Sequence, residues 1–129
     1  MASLGITDYL ADKWGGTLCN VPYAAPMTAF KLHLDVPGSA GTAHPAATSS
    51  RQQATFTRLS SGVYVFTGLP PTWLGAAAET VPYLSCWDGL TDADNCLFTA
   101  AALSPRIIAA GDKVTLTGFT VTFKNRASD

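Results

Sequence analysis

The chain has 129 residues and a formal net charge of −1, so it is long enough for one cored domain and carries no basic footprint for nucleic acid. Apolar residues make up 47% but charged residues only 13%, about half the usual share. A surface so poor in charge suits a protein packed against others better than a freely diffusing one. No run of about 18 apolar residues occurs, and the first residues, Met-Ala-Ser-Leu-Gly-Ile-Thr-Asp, lack a charged start followed by an apolar block. The expectation is therefore no signal peptide, no membrane span, and assembly in the cytosol. Three cysteines, an odd number, argue against a disulfide framework.

The front of the chain is the one good helix candidate. Thr7 or Asp8 is placed to cap it, and Ile6, Leu10 and Trp14 fall on one face at spacings of about four residues. Gly15 and Gly16 are expected to end it through a positive φ. Val21-Pro22 and Ala25-Pro26 then keep the backbone extended.

From Met27 to Asp35 the pattern alternates, with Phe30, Leu32 and Leu34 on one side and Lys31, His33 and Asp35 on the other. That predicts a half-buried strand whose polar face meets solvent. Residues 36–50, rich in Pro, Gly, Ala, Ser and Thr, read as a long exposed loop of the kind that orders against a partner. A second strand over 52–58 turns Ala54 and Phe56 inward, and Ser60-Ser61-Gly62 makes a turn into a third, 63–67. The third is apolar on both faces and should be central or covered on both sides. Residues 68–78, with Pro70-Pro71 and Trp73, read as a loop with one helical turn near 74–78.

The last third predicts three strands: 80–87, 96–103, and a long closing strand over 113–124, with Pro105 and Arg106 leading into a short 107–112 entry. In the closing strand Val114 and Leu116 share one parity and Phe119, Val121 and Phe123 the other. A phase slip at Gly118 predicts a β-bulge there. The total is six or seven strands after one helix. The fold class is mainly β, an antiparallel β-sandwich or jelly-roll-like domain with one short N-terminal helix. A single domain over 1–129 is expected, with an arm and helix in 1–26, the sandwich in 27–124 and a tail in 125–129.

Little in the chain looks like chemistry. Asp88, Asp92, Asp94 and Asn95 crowd one loop, but the order of a calcium loop and its distal Glu are missing. A hairpin turn explains them better than a metal site. Cys86 and Cys96 sit symmetrically about Thr91; a cross-strand disulfide is geometrically open, and two buried thiols are the favoured state. Glu79 is the one Glu, no Gly-x-Ser-x-Gly occurs, and His33 and His44 read as solvated or hydrogen-bonded. Neither an enzyme nor a cofactor is expected. Trp73, Trp87, Tyr23, Tyr64 and Tyr83 suit core or interface packing more than a sugar-stacking platform.

The order of parts resembles a family of small tailed-phage virion proteins labelled as tail-fibre or capsid decoration proteins. The resemblance runs through Thr-Asp-Tyr-Leu-Ala-Asp-Lys-Trp-Gly-Gly (7–16), Ala-Phe-Lys-Leu-His-Leu-Asp (29–35), Arg-Gln-Gln-Ala-Thr-Phe (51–56), the hairpin from Trp87-Asp88 to Asn95-Cys-Leu-Phe98, and Ala-Ala-Gly-Asp-Lys-Val-Thr-Leu (109–116). Extra acidic residues in the hairpin loop, and residues 125–129 beyond the last strand, depart from the family pattern. The resemblance implies a non-enzymatic β-sandwich present in repeated copies on a virion. The leading expectation is a capsid decoration protein, a homotrimer on the major capsid protein, with no nucleic-acid or membrane partner. A tail or fibre component is the alternative, and a carbohydrate-binding module the reading from another class. Leu4, Ile6, Tyr9, Trp14, His44 and Trp73 are the candidate partner-contact residues.

Overall fold

A computed structural model describes residues 4–48, 50–68, 70–91, 93–116 and 120–122. Along the chain it contains β1 (Gly5–Ile6), α1 (Asp8–Gly15), a 3-10 turn (Gly16–Cys19), β2 (Thr28–His33), β3 (Gln52–Ser60), β4 (Val63–Thr67), β5 (Thr72–Leu74), β6 (Glu79–Trp87), β7 (Cys96–Ile108), β8 (Lys113–Thr115) and β9 (Thr120–Thr122). Seven strands form one sheet in the order β1-β7-β6-β2-β3-β4-β9, while β5 and β8 form a second. All pairings are antiparallel. The fold is mainly β and sandwich-like, as the strand pattern predicts.

Thr7 caps α1 by accepting the Leu10 N–H on its hydroxyl at 3.3 Å. Its own hydroxyl hydrogen points to the Cys96 and Leu97 carbonyls, 2.6 and 3.0 Å away. The helix does not stop at a left-handed glycine as expected. Gly16 is right-handed, the chain tightens into the 3-10 turn, and Asn20 supplies the positive φ of 63°. Ile6 is in β1, paired with Phe98, and so lies outside the helix.

The core lies on one face of the large sheet. Phe30 stands at its centre, with ring centroids of Phe66, Phe98 and Phe56 at 5.7, 6.1 and 6.2 Å, the spacing at which aromatic rings pack edge-on or tilted. Leu32, Leu84 and Cys86 extend this layer, and Trp73, Val114 and Ile108 join it. Residues 72–74 are thus a strand, and 75–78 hold no helical turn: Trp73 faces Val114 across the two-stranded sheet.

The opposite face is covered too, which the alternation in β2 does not foretell. Residues 34–48 fold back across it as a strap. Leu34 N–H donates to the His44 carbonyl at 2.8 Å and Ala46 N–H to the Leu32 carbonyl at 3.1 Å, and Pro45 bridges to His33. Lys31 and His33, expected on a wet face, are buried, and Leu34 beyond the strand end is exposed. The long loop is therefore a packed cover and not a free excursion.

Two predicted boundaries change in the last third. β7 runs without a break through Pro105. Between Tyr83↔Ala101 and Val81↔Arg106 the register gains three residues on β7, and this bulge houses a proline that cannot donate to the ladder. The single closing strand is two, since β8 pairs with β5 and β9 pairs with β4. The bulge predicted at Gly118 lies outside the described residues, as do Asp92 and residues 125–129. β4 lies between β3 and β9, an interior strand as its two apolar faces require.

Candidate functional site

An apolar recess opens on the core face beside β1 and α1. It holds about 500 Å³. Ile6 and Trp14 form one lip, Leu10 and Leu97 the floor, and Phe56, Tyr64 and Phe98 the far wall. Ile6 is 52% exposed and Trp14 42%, while Leu10 is buried. The geometry follows from the chain order. Two residues of β1 pair with β7, Thr7 turns the chain into the helix, and Leu10 and Trp14 come one turn apart on the face toward the sheet. Among the described residues β1 is an edge strand, so its outer backbone groups lie beside the groove, ready to pair with another strand.

The helix is braced from behind. Tyr9 and Tyr23 meet edge to face at 6.0 Å, and the Lys13 ammonium stands 5.3 Å from the Tyr9 ring centre. The Tyr23 hydroxyl donates to Asp88 Oδ2 at 3.0 Å. Burial first, then its hydrogen bonds to Tyr9 and Asp88, push the Tyr23 phenol well above its ordinary range, so Tyr23 is a neutral strut.

The expected contact residues separate into three groups. Leu4, Ile6 and Trp14 are exposed around the N-terminal arm. Tyr9 is half-buried in the brace, and His44 is exposed on the strap with a φ of 53°. Trp73 is 1% exposed and donates its indole N–H to the Ser50 carbonyl at 2.7 Å, which makes it a core residue. Trp87, also 1% exposed, lies under the Arg51 guanidinium at 4.1 Å. Neither indole is available to stack on a sugar, and the platform reading fails for both. Sequence reasoning missed Tyr64 and Phe98 as groove walls. For Tyr64 its shared parity with Phe66 on β4 was the available sign; Phe98 joins the face only through its register with Cys86 and Phe30.

The other polar constellations are structural. Asp88 Oδ1 accepts the Asn95 N–H at 2.8 Å, and Asp94 Oδ2 accepts the Thr91 N–H and hydroxyl, each at 2.9 Å. These carboxylates are held by donors of their own hairpin, which is what a turn requires. Cys86 pairs with Phe98 and Cys96 with Trp87 across a register shift. The shift turns the two thiols to opposite faces, and both are free. His33 Nε2 lies 2.7 Å from Ser85 Oγ, the spacing of a base and a nucleophile. Both residues are fully buried, however, and the imidazole is oriented by the Ala43 carbonyl at 2.8 Å in place of a carboxylate.

A β-rich scaffold with an apolar groove beside an open strand edge fits a tailed-phage virion structural protein. The family model described as Podophage GP4 fiber I protein gp80 matches residues 5–124, and the chain belongs to that family. No curated protein matches it. Among the described residues no helix is long and apolar enough to cross a membrane.

Proposed function

We propose that this protein is a structural subunit of the phage tail, in a fibre or at its base, and that it acts by contact with neighbouring subunits and not by catalysis. The observation that carries this reading is the family match over residues 5–124, whose description names a fiber protein. The groove between Ile6, Trp14 and Tyr64 supports it, because an apolar recess next to an unpaired strand edge can accept a neighbour's strand and side chains together. Low surface charge adds to this by limiting the desolvation penalty of repeated contacts. Assembly in the host cytoplasm and incorporation into the virion follow from the same reading.

The capsid decoration role, as a homotrimer on the major capsid protein, shares the low-charge argument but not the fibre description. Immunogold labelling of intact virions with an antibody to this chain separates the two. Label on the tail is expected; label on the head and absent from the tail would replace the fibre reading with decoration. The groove's part is tested by Trp14→Ala. This variant should fold normally and be depleted from purified virions, whereas full incorporation would remove the groove from the contact.

A further inference from the structure

The strap over residues 34–48 is anchored by two titratable side chains. The first is His33. The Ala43 carbonyl, 2.8 Å from Nδ1, can only accept, so Nδ1 carries the hydrogen and Nε2 presents a lone pair. Ser85 Oγ, 2.7 Å away, donates to that lone pair and accepts the Trp87 indole N–H, also at 2.7 Å. The chain of donors runs from Trp87 through Ser85 and His33 to the strap. The second anchor is Glu79, whose carboxylate accepts the N–H groups of Ala47 and Thr48 at 2.8 and 2.9 Å.

A proton on Nε2 breaks the first chain. Ser85 Oγ would then receive hydrogens from both His33 and Trp87, and its own hydrogen would need a new acceptor in a site closed to water. The added charge would face Lys31 from the same strand and Arg51 from the approach to β3. Tyr83, Ser85 and Trp87 of β6, Thr99 and Cys96 of β7, and the His44 backbone of the strap offer it no negative charge. Burial, the largest influence, holds the imidazole below its ordinary 6.5; the Ala43 carbonyl pulls it back upward, Lys31 and Arg51 add to the lowering, and the His44 backbone opposes it least. A neutral imidazole therefore contributes its full stability above pH 6.5, and the contribution shrinks as the pH falls below that value. Glu79 moves in the same direction at lower pH. Burial raises its pKa, but the hydrogen bonds from Thr48 and Ala47 outweigh this and keep it below the ordinary 4.5.

We propose that residues 34–48 form an acid-released strap, in which protonation of His33, followed by Glu79, detaches the segment and uncovers the sheet face that carries Lys31, Ser85, Trp87 and Cys96. At neutral pH the strap is closed and the face is buried against Gly41 and Ala43. In acid the segment lifts and takes Ala46 off the edge of the core cluster, while the aromatic centre around Phe30 and α1 stay intact. The same face would then present Trp87 and the Cys96 thiol to solvent.

The test is hydrogen–deuterium exchange of the whole protein from pH 7.5 down to 3.5, corrected for the intrinsic dependence of exchange on pH, with His33 followed by NMR in the same samples. Protection of the Ala43, Ala46, Ala47 and Thr48 amides should fall roughly tenfold per pH unit as His33 titrates, the limit for one linked proton. Amides of α1 and of the β6–β7 ladder should be unchanged. His33→Gln, which cannot titrate, should lose the part of the fall in protection that begins below pH 6.5 in the wild type. Titration of His33 with strap protection unchanged would overturn the proposal, and so would loss of protection spread evenly over the molecule. The wild-type measurement decides the matter even if the variant does not fold.

Discussion

Gly41 rests directly on the sulfur of Cys96: a Cβ at position 41 would collide with Sγ and come within 2.8 Å of the Cys96 Cβ and 3.3 Å of the Trp87 ring. Its φ of +74° is also one that side chains rarely adopt. Gly41→Ala therefore meets both a steric and a conformational penalty. We expect it to lower stability by about 2–4 kcal/mol, as overpacking and a left-handed alanine together imply. Urea unfolding checks this, and an unchanged midpoint would mean that the strap yields freely at its centre.

Glu79→Gln keeps the shape of the second strap anchor and removes its charge. The carboxylate is partly solvated, so its two backbone hydrogen bonds are discounted to about 1–2 kcal/mol. The folded pKa is lowered, so this contribution is complete above pH 4.5 and is lost as the pH falls below it. The variant should be less stable than wild type at pH 7, and the gap should close toward pH 3. Paired thermal melts at the two pH values would show it; an equal gap at both would point to packing.

Thr7 joins the helix start to the first residues of β7 through one hydroxyl. Thr7→Ala removes the cap on Leu10 and the donor to Cys96 and Leu97, and should cost about 1–2 kcal/mol. Thr7→Ser should recover most of it. If both variants melt alike, the methyl group and not the hydroxyl holds the joint.

The three thiols should differ sharply in reactivity. Cys19 is exposed, whereas Cys86 and Cys96 are buried. Burial raises both buried thiols, Cys96 to about 12 against a partial counter-pull from Arg51, so neither forms a thiolate near neutrality. Colorimetric thiol titration at pH 8 should give one fast equivalent in the native protein and three after denaturation. Two or more fast equivalents would contradict the closed strap.

Much of the architecture was readable because hydrophobic parity is local. The short helix, the Thr7 cap, the β3–β4 hairpin and the 88–95 turn all follow from neighbours in sequence. The misreadings share one cause, which is contact between distant segments. Alternation around Phe30 identifies a sheet face, but it cannot reveal that residues 34–48 return to cover Lys31 and His33. Residues 113–124 read as one strand because they are continuous in sequence, which cannot reveal that β8 pairs with β5 and β9 with β4. Trp73 looked like a contact residue because a three-residue strand behind two prolines is too short to show a period. The groove was half readable. Ile6 and Trp14 declared themselves as apolar residues on an arm, but Tyr64 and Phe98 belong to it only once β4 and β7 curl toward α1.

The pairing of Gly5 with Thr99 and Ile6 with Phe98 also sets an order of events during synthesis. The first strand has no place to dock until nearly a hundred residues later, when β7 has left the ribosome. Until then the apolar arm and the Phe30 core face each other unclosed, and a neighbouring nascent chain can offer its own β7 instead. Contacts so far apart in sequence make folding slow, and crowded synthesis would favour exchange of the arm between chains. The latch that closes one subunit is thus a pairing that a second chain could supply instead.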